Sequence, residues 1–146
     1  MENILAQFSG GAVNYAYGIL SPVGFGRKTT LKLTETRVVE TTKKFISSRY
    51  CEIRVSRIDS AEIVEQGMPW LIVLGCMTIA LYGLGLIFFT LYFFIKNKYL
   101  LIHSGNNTIA VEIYKTKDLA IAGNFIQKVL DHAELISVNS RMTTAV

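Results

Sequence analysis

Between Gln66 and Ile95 the chain carries no charged side chain, and within that stretch Met68–Ile95 reads MPWLIVLGCMTIALYGLGLIFFTLYFFI. No other feature restricts the fold as much. A helix crosses the hydrocarbon core of a bilayer with about 20 residues at 1.5 Å rise each. The run is longer than one such span and shorter than the roughly 40 residues that two would take. As one helix it would measure roughly 42 Å, a length that a tilted single span accommodates. As a helical hairpin turning at Gly83 and Gly85, its arms would each reach roughly 18 Å, past the middle of the core. The tip would then need protein cover or the far interface for its backbone polar groups.

The flanking charges favour the hairpin. Arg49, Arg54 and Arg57 precede the run and Lys96, Lys98 and Lys115 follow it, so basic residues bias neither side and both flanks read as cytoplasmic. If the strands before and after the run share one sheet, both flanks must lie on one side, and a hairpin allows that where a single span does not. The expectation is therefore a membrane-embedded helical hairpin over residues 68–95, with a single span as the alternative. Trp70 at one edge of the run and Tyr92 and Tyr99 at the other suit a membrane interface. Lys96 and Lys98 suit the headgroup level. A second basic group, Lys43, Lys44 and Arg49, is a candidate contact for anionic headgroups, with a solvated strand turn as the plain alternative.

Outside the run the chain is polar. The overall 51% hydrophobic content is thus a local excess, and the net charge of +4 points to anionic lipid rather than nucleic acid, since no helix–turn–helix, zinc or aromatic-strand motif accompanies it. Residues 1–26 are rich in glycine and small apolar residues and read as a separate segment, either an interfacial helix carrying Ile4, Leu5 and Phe8 or a loose tail. Its one early charge is Glu2, so no basic n-region marks a signal peptide. From residue 27 the pattern becomes β. TLKLT alternates, CEIRVSRIDSAEIVE alternates again, and turns fall near Glu35 and Ser47. After the run, Tyr99–His103 and Thr108–Tyr114 flank Ser-Gly-Asn-Asn and predict a hairpin. A helix follows, with Thr116 as cap, Asp118 in its first turn and a stripe of Leu119, Ala122, Ile126, Val129, Leu130 and Ala133. Residues 137–146 read as a frayed tail.

This order of strands, apolar insert, strands and final helix resembles the bacterial PH-like domain family of membrane-associated proteins. The resemblance rests on LKLTETRVVETTKKFISSRYCEIRVSRIDSAEIVE, with its Thr34, Arg37, Val38 turn and its Ile58, Ser60 step, and on YLLIHSGNNTIAVEI before the last helix. It implies a membrane-tethered, non-catalytic module and spans roughly residues 29–135. The short insert and residues 1–26 depart from the family pattern. The fold expected is an α+β membrane protein: a PH-like antiparallel β unit (27–67 and 96–136) closed by a C-terminal helix, with a transmembrane or re-entrant helical hairpin inserted.

No catalytic constellation, cofactor loop or metal-ligand spacing emerges. His103 and His132 are far apart and read as surface histidines. The carboxylates Glu35, Glu40, Glu52, Asp59, Glu62 and Glu65 alternate with basic residues as on a solvated sheet face. Cys51 and Cys76 form no disulfide framework. With no Asp, Glu, Lys, Arg or His inside the run, a proton or ion path lacks the groups it usually needs. The expectation is a scaffold or assembly module at the cytoplasmic face of an inner membrane. Its partners would be the lipid bilayer and either other proteins or copies of itself. The alternatives are a single-span accessory subunit and an anionic-lipid-binding module.

Overall fold

The computed structural model describes residues 3–23, 27–43, 48–79 and 85–144. The order of elements is β1 (Ile4–Ala16), β2 (Ile19–Pro22), β3 (Lys28–Thr34), β4 (Arg37–Lys43), β5 (Ser48–Arg54), a 3-10 turn at Val55–Arg57, β6 (Ser60–Gly67), α1 (Pro69–Ile79), α2 (Gly85–Phe94), β7 (Lys96–Ser104), β8 (Asn107–Ile113) and α3 (Thr116–Thr144).

Alternation sets the inner face. Thr29, Leu31 and Leu33 of β3 pair with Thr42, Glu40 and Val38 of β4, and all six are buried on the same side. Ile53 of β5 joins them opposite Val38. In β7 the alternation gives way to a continuous run, because both faces are covered. Leu100 and Ile102 enter the main core with Phe125 and Val129 of α3, whereas Tyr99 and Leu101 face the other way and pack with Leu20 of β2. The β7–β8 turn forms as expected: Ser104 pairs with Asn107, and Gly105 between them takes φ +55°.

The strands form one antiparallel sheet in the order β5-β4-β3-β1-β8-β7-β6, with β2 paired to β1 off that path. β1, β3, β4 and β5 make one meander and β6, β7 and β8 another. β1 joins them, pairing with β3 over Ile4–Gly11 and with β8 at Gly11 and Ala12. The curled sheet is closed by α3, an arrangement compatible with a PH-like fold.

Four expectations need correction. Residues 1–26 are not an interfacial helix or a loose tail over their described part, since β1 lies in the middle of the sheet. Its glycines sit where a partner strand comes in: a Cβ on Gly10 would overlap the carbonyl oxygen of Glu112. The transmembrane or re-entrant helical hairpin is overturned as well. Among the described residues no helix is long and apolar enough to cross a membrane. The apolar run is divided between helices of 11 and 10 residues, each roughly 16 Å long, about half of a hydrocarbon core. The single span fails too, because Gly67 and Lys96, the residues bounding the run, pair with each other across β6 and β7. The expected tail is helical as far as Thr144. The expected stripe on α3 holds at Leu119, Ala122, Ile126, Val129 and Ala133, which lie in or against the main core; Leu130 is 41% exposed, and Phe125 is buried in addition.

Candidate docking surface

α1 and α2 carry no charged residue. Their threonine hydroxyls are satisfied internally, that of Thr78 donating to the Leu74 carbonyl at 2.7 Å and that of Thr90 to the Leu86 carbonyl at 2.9 Å. The two helices touch through small residues. A Cβ on Gly85 would run into the carbonyl oxygen of Gly75, and the ring of Phe89 lies against Gly75. This contact covers one narrow strip. Val73, Met77, Ile79, Leu86 and Ile87 stay exposed, and Phe93 and Phe94 are 70% and 80% exposed. Apolar side chains of both helices thus face outward over the described residues away from Leu71, Gly75 and Gly85, a surface of the kind that marks an interaction site.

Lysines border it. Lys96, the first residue of β7, is exposed, as are Lys115 and Lys117 at the start of α3. Lys98 pairs in register with Ile113, so Lys115 follows two residues beyond that partner, on the same side of the molecule as α2. Lys98 itself is engaged, its Nζ 2.8 Å from Glu65. The hydrogen bond and charge of Lys98 hold the Glu65 carboxyl below its ordinary value, with a smaller contribution from Lys96.

The residues expected at a membrane interface divide accordingly. Trp70 is exposed at the start of α1. Tyr92 lies over Gly67, edge-on to Phe93 at 5.6 Å between ring centroids, and so ties α2 to the end of β6. Tyr99 is 0% exposed and belongs to the second core, where Leu20 covers it. Its phenol accepts a hydrogen bond from Asn97 at 3.4 Å, and burial raises its pKa. Gly85 is a helix contact rather than a turn residue, and Gly83 falls outside the described residues. Lys43 and Arg49 are exposed but remote. Followed from ladder to ladder, the ends of β6 and β7 that hold α1 and α2 point the same way as the β3–β4 turn. Lys43 and Arg49 lie toward the opposite ends, and Lys44 falls outside the described residues.

Two acidic residues that read as solvated or passed without notice are buried. Glu112 accepts from Asn97 Nδ2 at 3.1 Å on the outer face, and desolvation raises its carboxyl pKa. Burial, and after it the charge of that carboxyl, raises the pKa of Tyr114. Glu40 is on the inner face, where its Oε1 accepts from the Thr42 hydroxyl at 2.9 Å. The phase shared by Val38, Glu40 and Thr42 was the available signal for Glu40. Both histidines serve the fold: His103 bonds Thr108 and Glu62, and Nε2 of His132 on α3 meets the Glu35 carbonyl at 2.6 Å. Among the described residues no three His, Cys, Asp or Glu side chains converge on a possible metal position.

No protein-family model matches the chain, and neither does any curated protein or solved structure, so the apolar helix pair and its lysines are the features on which a functional reading can stand.

Proposed function

We propose that this chain is a non-catalytic, PH-like module that anchors at an anionic lipid surface through the outward apolar side chains of α1 and α2, and presents its sheet for assembly with partner proteins. One observation carries the reading: the exposed lysines Lys96 and Lys115 lie at the end of the β6–β7–β8 ladder from which α1 leaves and to which α2 returns, beside the exposed apolar side chains of the helix pair. Apolar side chains there gain by leaving water, and each lysine near an anionic leaflet adds about 1 kcal/mol. In this reading the module works at the cytoplasmic face of an inner membrane and belongs with the bacterial PH-like proteins. The fold supports that placement only in being compatible with theirs. The edge strand β5, with Tyr50 exposed, is the surface offered to a protein partner or a second copy.

Flotation with vesicles tests the reading. Vesicles of phosphatidylcholine with phosphatidylserine should carry the protein, and added salt should weaken the association. Phe93→Ser with Phe94→Ser should reduce binding at least tenfold. Lys96→Ala with Lys115→Ala should reduce it roughly fivefold per charge, the equivalent of about 1 kcal/mol each. Binding that ignores both pairs of substitutions, or no binding at all, would reject the proposal.

A further inference from the structure

The inner face of the sheet is apolar around α3 and polar toward Lys43 and Arg49. There Ala12, Val13, Asn14, Val23, Glu40, Thr42 and Arg49 line a pocket of about 180 Å³, several times the space one water needs. Glu40 is 7% exposed. The Thr29 and Thr42 hydroxyls are 2.7 Å apart, and with Thr42 donating to Glu40 the Thr29 hydroxyl donates to Thr42, so the chain of donors ends on one carboxylate oxygen. Ion pairs among the described residues join Arg37 to Glu52, Lys98 to Glu65 and His103 to Glu62, and leave Glu40 without a cation. A buried carboxylate holding a single hydroxyl donor is costly unless a counter-charge reaches it. A carboxylate offers about four acceptor positions, and Thr42 fills one.

We propose that this pocket binds a small organic cation, a primary ammonium or guanidinium group that donates to Glu40 while Asn14 borders the entrance. Ala12 and Val23 supply apolar wall for a short carbon chain behind the charged head, while the side chain of Val13 packs into the second core on the other face. Arg49 is exposed at the rim and disfavours doubly charged ligands. The site is independent of the lipid contact, from which it is separated by the length of the strands.

Amide NMR shifts of the full chain, titrated with butylammonium chloride, test the proposal. The resonances of Ala12, Val13, Glu40 and Thr42 should move and saturate. Sodium chloride and butyrate at equal concentration should not reproduce the effect. Glu40→Gln should weaken binding at least tenfold, with the remaining spectrum unchanged. If that variant does not fold, Asn14→Leu, which narrows the entrance, takes its place and should also abolish saturation. Three results would overturn the assignment: shifts that sodium reproduces, binding that survives both substitutions, or saturation that appears only in Arg49→Ala, which would make Arg49 itself the occupant.

Discussion

Among the described residues, Tyr17 is the one whose backbone is most at odds with its side chain. It takes φ +53°, and Gly18 after it takes φ +78°, between Ala16 and Ile19, which pair with each other. Two successive positive φ angles make the type I′ turn that joins β1 to β2. A left-handed tyrosine costs about 1 kcal/mol, and asparagine tolerates that region far better. The ring is fully exposed, so its removal forfeits no packing. Tyr17→Asn should raise stability by about 0.5–1 kcal/mol in denaturant unfolding; an unchanged or lower midpoint would mean that the ring holds a contact in solution. Glu112 makes the second prediction at this scale. Burial raises its pKa, so the native state holds a proton that the unfolded chain releases at about pH 4.3. Native protein binding more protons means that stability falls as pH rises from there through the folded value. Glu112→Gln should flatten that decline, measured as unfolding free energy between pH 4 and pH 7. A variant whose profile parallels the parent's would place the titrating group elsewhere.

Elements became legible in the sequence wherever a local rule decided them. β3, β4 and the β7–β8 hairpin follow from alternation and turn chemistry, and Asp118 lies in the first turn of α3 as expected, while Thr116, expected as the cap, is already the first helical residue. β1 did not, because its glycines make sense only against β3 and β8, the latter about a hundred residues away. Tyr99 misled for a similar reason: nothing near it in sequence announces that Leu20 will cover the outer face of β7. Glu40 was hidden by its charge, although its phase matched Val38. The face of α3 was legible except at Leu130, which is exposed, and Phe125, which was not expected in the core. Phe125, Val129 and Ala122 point into the core, and the Phe125 ring lies 6.3 Å from that of Phe8. Phe125→Ala should therefore cost about 3–5 kcal/mol, whereas Leu130→Ala, on the exposed side, should cost less than about 1 kcal/mol. Equal costs in thermal unfolding would mean that α3 sits rotated from this position.

At the scale of the whole molecule, the sheet and the apolar helices are separable. Neither core cluster contains a described residue from Met68 to Ile95. Chain leaving the sheet at Gly67 returns at Lys96, directly across the ladder. A two-residue Asn-Gly turn closes an antiparallel pair of that geometry. Replacing Met68–Ile95 by Asn-Gly should then leave one cooperative unfolding transition and a far-ultraviolet spectrum dominated by the sheet and α3. The shorter connection lowers the entropy cost of closure, and loss of the exposed apolar surface should improve solubility. The same variant should not float with anionic vesicles. An unfolded product would make the helices part of the fold and remove the ground for treating their outer surface as a docking site. A folded product that still binds vesicles would move the lipid contact onto the sheet. Only a folded variant that no longer binds fits a module whose architecture and whose attachment are carried by different parts of one chain.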